Sequence, residues 1–269
     1  MKKVICDTNI WYNIAKGDIP VKSFLGYQLI ATGINVLELS STKNLLHDFD
    51  LVKGAIKAMY NHHYQVIEFD VWDYILCYHT SIRYTAFNRE IFQSNLELFR
   101  GIIVNEFDAN FKDKDRLEGL NQRIDTYNQP AEKLAKYLNE GLITTRKKGL
   151  DKHGLKSMFK KKIRNNETSY NEIRELILES LALRADVQAT QLLGKVDWYN
   201  IELFFRTWDL LYKEKILHGN SKFEANDIND LFNMAYVGKD DLYWTKEKSW
   251  IRLMKSNPIT AKYVFEPNL

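Results

Sequence analysis

The sequence predicts an α/β fold interrupted by an all-helical middle. Three observations predict it. The N-terminal 85 residues alternate short apolar runs with stretches of helical spacing. Residues 87–212 carry almost no strand signal. The last 60 residues return to the strand–helix alternation of the first. The length, 269 residues, is ample to bury a core, and 45% apolar with 27% charged residues excludes a disordered or fibrous chain. Only 4 prolines and 12 glycines suit long helices.

The elements follow in order. Val4-Ile5-Cys6 is a short apolar run, β-branched at two positions, and predicts a buried strand that ends at Asp7. Ile10-Trp11 and Ile14-Ala15 recur at helical spacing behind it. A strand that ends in Asp-Thr-Asn and opens a helix matters, because ligands of α/β sheets sit outside the carboxyl ends of the strands. Residues 27–31 (YQLIA) predict a second strand, and Asn35 is the expected cap of a helix running through Leu45-Leu46, with Glu38 in its first turn. Residues 51–61 predict a helix, 65–69 (QVIEF) a strand and 72–84 another helix.

In the middle, Phe87, Ile91, Leu98, Ile102 and Ile103 fit one helix face, and Pro130 is expected to begin a further helix through Leu134 and Leu138. Residues 172–193 are strongly helical in pattern, and 198–217 continue in that style. Near the end, Asn226-Asp227 is expected to cap a helix through Asp230 and Leu231. Residues 241–245 predict a strand, 250–255 a helix and Tyr263-Val264-Phe265 a last short strand. The expected division is an α/β domain built from residues 1–86 and 213–269, with 87–212 as a helical insertion.

A net charge of +3 hides a strong segregation. Between residues 141 and 166 stand nine basic residues and one acid, Asp151, a local +8 that leaves about −5 for the rest of the chain. Such asymmetry points to a polyanionic partner. Lys147, Lys148, Lys160, Lys161 and Lys162 are the candidate phosphate contacts; a solvated face is the competing reading of any charge run. Two cysteines cannot build a disulfide framework and suggest reduced thiols in a cytosolic protein. No apolar run reaches the length of a membrane span, and Lys2-Lys3 precedes too short an apolar run for a signal peptide. The histidines lack zinc spacing, Asp108, Asp113 and Asp115 lack the glycine and glutamate of a calcium loop, and no Gly-rich phosphate loop occurs.

Four acids occupy the junctions of the two α/β ends: Asp7, Glu38, Asp230 and Glu247. If the strands are parallel and central, all four lie near the carboxyl edge. Clustered carboxylates repel, and a cation relieves the repulsion; oxygen ligands with waters suit Mg2+ or Mn2+. The chemistry such a site supports is phosphoryl-ester cleavage, in which one ion acidifies a water and a second stabilises the leaving oxygen. Asp227, three residues before Asp230, is a competing ligand on the same helical face.

These residues carry a resemblance. Val4-Ile5-Cys6-Asp7-Thr8-Asn9-Ile10 resembles the opening strand of PIN-domain ribonucleases. Asn35-Val36-Leu37-Glu38-Leu39 resembles the second motif of that family, residues 226–236 around Asp230 the third, and Leu242-Tyr243-Trp244-Thr245-Lys246-Glu247-Lys248 the fourth, although the family often has Asp or Asn where this chain has Glu247. The order of the four agrees, over about the first 85 and last 60 residues. The resemblance implies a three-layer α/β/α fold with a central parallel sheet and metal-dependent cleavage of single-stranded RNA, commonly as the toxin of a toxin–antitoxin pair. It implies Asp7, Glu38, Asp230 and Glu247 as the acidic site, Thr8 and Thr245 as supporting hydroxyls and Asn9 as the residue that fixes the turn. An antitoxin or other protein partner and a homodimer are compatible with it. The alternative left open by the residues is a PIN-like module that binds RNA or protein without catalysis.

Overall fold

The computed structural model describes residues 1–85, 90–104, 114–150, 168–218 and 221–267. Four strands, β1 (Lys2–Cys6), β2 (Tyr27–Thr32), β3 (His63–Ile67) and β4 (Leu242–Trp244), form one sheet in the order β3-β2-β1-β4. Every pairing is parallel. Such a sheet needs cover on both faces, and the alternation along β1 and β2 supplies apolar residues to each. Ile5, Ile30 and Tyr243 point to one side; Val4, Cys6, Leu29, Ala31 and Trp244 point to the other.

Helices cover both faces, which makes the architecture α/β/α. On the Val4 side lie α1 (Thr8–Ala15), α4 (Phe49–His62), α6 (Glu90–Ile103) and the first part of α7 (Lys114–Leu150), through Ile10, Val52, Ile56, Phe99 and Ile124. On the Ile5 side lie α5 (Val71–Tyr78), the second part of α7, α8 (Thr168–Ala185), α9 (Glu202–Leu217), α10 (Ala225–Met234) and α11 (Lys248–Lys255). Leu138, Ile177, Phe204, Leu231 and Trp250 join Ile5 and Ile30 there in one buried apolar cluster. The helical middle therefore shares its core with the sheet.

Several expected boundaries move, each for a local reason. The helix expected from Asn35 to Leu46 is two helices, α2 (Gly33–Ser40) and α3 (Asn44–His47). The hydroxyls of Ser40 and Ser41 both donate to the Leu37 carbonyl, offering the backbone an alternative to continued helix. Thr32, not Asn35, is the N-cap of α2. Asn35 sits at the third position and closes a capping box with Thr32, so Glu38 falls in the second turn. Gly33 opens this helix because a Cβ there would meet the Phe69 carbonyl oxygen and the Phe92 ring.

The third strand ends two residues early, at Ile67. Asp70 caps α5 by accepting from the backbone N–H groups of Trp72 and Asp73, which keeps Glu68 and Phe69 in the connection. Pro130 lies inside α7 rather than at a helix start, and it leaves the Thr126 carbonyl without its usual i+4 donor. On α6 the buried residues include Ile102 of the expected face together with Phe92 and Phe99, while Leu98 and Ile103 are half-buried; Phe87 lies outside the described residues. The helix expected over 172–193 stops at Ala185, where Asp186 takes a positive φ of 53°, a conformation Asp tolerates better than most residues. Glu224, not the Asn226-Asp227 pair, caps α10. Tyr263-Val264-Phe265 makes a single parallel bridge to Tyr243 instead of a strand; Pro267, with no N–H, follows closely. Among the described residues no helix is long and apolar enough to cross a membrane.

Candidate metal centre

The site forms where the parallel strands end. Asp7 follows β1, Glu38 lies on α2 behind β2, Asp230 lies on α10, and Glu247 follows β4. Carboxylate oxygens of Asp7, Asp230 and Glu247 all lie within 4.8 Å of one another. Glu38 lines the same cavity of about 300 Å3, together with Tyr12, Tyr127, Asn128 and Asn229.

Asp7 occupies the N-cap position of α1, but its side chain makes no cap hydrogen bond. Its Oδ2 instead accepts from Thr245 Oγ1 at 2.8 Å and from Asn9 Nδ2 at 2.5 Å. Asn9 also accepts from the Lys246 backbone N–H at 3.3 Å, so it ties the turn after β1 to the loop after β4. Thr245 Oγ1 accepts from the Glu247 backbone N–H at 3.1 Å and so places Glu247 as well as Asp7.

A second set of bonds fixes Glu38. Thr8 Oγ1 donates to Glu38 Oε2, and Tyr127 donates to Oε1 at 3.3 Å. Thr8 in turn accepts from Asn35 Nδ2 at 2.9 Å. Asn35 Oδ1 accepts from the Thr32 backbone N–H at 2.9 Å and from Trp11 Nε1 at 3.3 Å. One fully buried amide therefore caps α2 and orients the hydroxyl that holds Glu38. Asp230 Oδ2 accepts from Trp250 Nε1 at 2.8 Å.

Asp227 behaves differently. Its Oδ2 accepts from the Glu224 backbone N–H at 2.9 Å and pairs with Lys215 Nζ at 2.8 Å, and it stands apart from the three converging carboxylates. Lys147 and Lys148 belong to the end of α7, while Lys160, Lys161 and Lys162 lie outside the described residues. At 1.5 Å per residue, the twenty residues from Tyr127 to Lys147 span about 30 Å of helix. The basic run thus starts well away from the acids.

The electrostatics are those of an uncompensated acidic cluster. Burial, then the Glu247 charge, pushes Asp7 up to about 6 against the pull of its hydrogen bonds. Burial and the Asp7 charge push Glu38 up to about 7. Asp230 is raised well above the carboxylate range by burial and by Asp7, Glu247 and Glu38; Glu247 is raised by burial and by Asp227. Among the described residues no Lys, Arg or His forms an ion pair with any of the four. An all-oxygen donor set with excess negative charge fits a hard divalent cation.

Three residues of this network carry no site signal in the sequence. Tyr127 lies on a helix that local patterning assigns only to the middle segment. Trp250 reads as an ordinary buried helix residue. Asn35 is legible as part of a helix start, but its second bond, to Thr8, depends on tertiary contact. No family model, no curated protein and no solved structure matches the chain.

Proposed function

We propose that this chain is a PIN-like, Mg2+- or Mn2+-dependent endoribonuclease that hydrolyses phosphodiester bonds of single-stranded RNA. The observation that carries the reading is the convergence of Asp7, Asp230 and Glu247 within 4.8 Å at the carboxyl edge of a parallel sheet, with Glu38 on the same cavity and, among the described residues, no basic residue paired to them. Asp7, Asp230 and Glu247 would hold a divalent cation, which would supply a more acidic water and offset charge on the leaving oxygen. Thr245 and Asn9 hold the Asp7 carboxylate, Trp250 holds that of Asp230, and Thr8 and Tyr127 hold Glu38. Glu38, held at the edge of the cluster by Thr8 and Tyr127, is the carboxylate placed to take a proton from water. RNA as substrate rests on the resemblance of the four motifs and on the basic segment, a charge run suited to a polyanionic strand.

The experiment is cleavage of a labelled single-stranded RNA by the purified protein with Mn2+, with EDTA, and by the Asp7→Asn variant. Loss of cleavage in EDTA and in the variant, with an unchanged circular dichroism spectrum, is expected. Cleavage by the folded Asp7→Asn protein at the wild-type rate overturns the assignment.

A further inference from the structure

Beside the acidic cavity lies a second one of about 560 Å3, in the size range of sites that bury small organic ligands. The two share Ser41 and Tyr127 as a common wall. The second cavity is framed by α2, α6 and the first part of α7, so it exists only because the helical middle is present. Its walls mix apolar and polar groups. Leu37, Pro130 and Phe92, the last 3% exposed, give apolar surface; Asn95, 6% exposed, gives a buried amide.

Two arginines reach it, and they differ. Arg184 is consumed by ion pairs with Asp70 at 2.5 Å and Asp73 at 2.7 Å. Arg123 is exposed and, among the described residues, has no carboxylate within ion-pair distance; its Nη1 makes a long bond of 3.4 Å to Asn95 Oδ1. The cavity therefore offers an apolar seat and, at the rim, one guanidinium outside any ion pair among the described residues, next to a site read as cutting a nucleic-acid backbone.

We infer that this cavity seats the nucleotide adjoining the scissile phosphate of the RNA strand, with its base among Leu37, Phe92 and Pro130 and its phosphate on Arg123. The inference rests on the nuclease reading. A guanidinium with a bidentate fork suits a phosphate oxygen pair, and an apolar slot with an amide suits the face and edge of an unstacked base. Tyr127 is the wall between the seat and Glu38, so an occupant of the seat touches the residue that holds a carboxylate of the acidic site.

Two variants test it. Arg123→Ala removes the phosphate contact. Gly119→Trp fills the cavity: a Cβ at Gly119 meets nothing within 4 Å, and the position is inside α7, where Trp favours helix more than Gly does. The binding of a short fluorescein-labelled single-stranded RNA is measured by anisotropy in EDTA over a range of salt, and its cleavage is measured with Mn2+. Both variants are expected to bind about tenfold more weakly and to raise KM by a similar factor, with kcat within about twofold of wild type. Arg123→Ala alone should flatten the dependence of log affinity on log salt by about 0.7, the share of one phosphate contact to a single strand, and Gly119→Trp should keep the wild-type thermal midpoint. If the wild type cleaves and both variants bind and cleave as it does, the seat is overturned and the nuclease reading stands. If nothing cleaves, the nuclease reading fails, and the anisotropy still decides the seat: equal affinity for all three proteins, or no binding by any, overturns it.

Discussion

Without a cation, the acidic cluster should make this protein less stable as pH rises from 5 to 8. In the folded chain Asp7 moves from its ordinary 3.8 to about 6. Between those values the folded state holds a proton that the unfolded state has lost. Unfolding then releases protons, and stability falls with increasing pH until the folded group has also ionised. A rise from 3.8 to about 6 corresponds to about 3 kcal/mol, present below about pH 4 and lost by about pH 7. For a chain of this size that is a fall of roughly 6–12 °C in thermal midpoint. Glu38, pushed to about 7, adds to the loss and extends it upward in pH. His79 works in the opposite sense: burial lowers its folded pKa, so its contribution is lost as pH falls. The Asp7→Asn variant isolates the acidic term. In EDTA at pH 8 it should melt roughly 6–12 °C above wild type, and at pH 5 the gap should shrink to about half of that. Mn2+ at a hundredfold excess over its Kd should return about 2.7 kcal/mol to the wild type and little to Asp7→Asn. Thermal melts followed by circular dichroism at pH 5, 6, 7 and 8 give all of these comparisons. A wild type that melts with Asp7→Asn at pH 8 in EDTA, and that Mn2+ leaves unmoved, would refute the clustering of uncompensated carboxylates.

The remaining predictions concern the residues that hold the carboxylates. Thr245→Val removes the 2.8 Å bond to Asp7 and should weaken Mn2+ binding about 10–100-fold, read by isothermal titration, with the fold intact; an unchanged Kd means that Thr245 does not place the ligand. Asn35→Ala leaves the Thr32 backbone N–H, Trp11 Nε1 and Thr8 short of partners and should cost roughly 1–3 kcal/mol in urea unfolding as well as activity. Trp250→Phe keeps the ring in the core but drops the donor to Asp230, so it should lower Mn2+ affinity more than it lowers stability; the reverse order counts against the bond. Ile5→Ala, at the centre of the sheet and 1% exposed, should destabilise by about 2–5 kcal/mol, measured by the same unfolding assay, without altering Mn2+ affinity in the folded protein.

What the sequence shows of this molecule is mostly what short-range physics controls. Val4-Ile5-Cys6 and residues 27–31 are buried strands because both faces of a parallel sheet are covered, and continuous apolar runs reflect that directly. Asp7 is visible for the same reason: a polar residue closing an apolar run marks the edge of the sheet. Side-chain chemistry that competes with the backbone is harder to read. Ser40 and Ser41 stop α2 by bonding Leu37, and Asp186 ends α8 with a positive φ, yet in sequence each stands within an uninterrupted helical pattern. Pro130 errs in the other direction. Its preference for a helix start is overridden in a 37-residue helix whose Leu120 and Ile124 pack on one side of the sheet and Leu138 and Leu142 on the other.

That placement of α7 changes what the middle segment means for the site. An insertion expected to be separate would leave the acids to the α/β ends alone. Here α7 passes from one apolar cluster to the other, and Tyr127 sits on the stretch between Ile124, in the first, and Ala131, in the second. A side chain at that crossing faces the sheet edge, where the acids are, and its hydroxyl reaches Glu38. The same stretch puts Arg123 at the rim of the neighbouring cavity and the start of the basic run about 30 Å along the helix from Tyr127. On the nuclease reading, Lys147 and Lys148 are suited to holding a long strand at a distance, and Arg123 to engaging it at the cavity next to the acids. Discrimination between these roles follows from charge: removing Arg123 should act on short RNA strands, whereas neutralising Lys147 and Lys148 should act only on strands long enough to span that distance. Equal losses on short and long strands for both changes would deny the division.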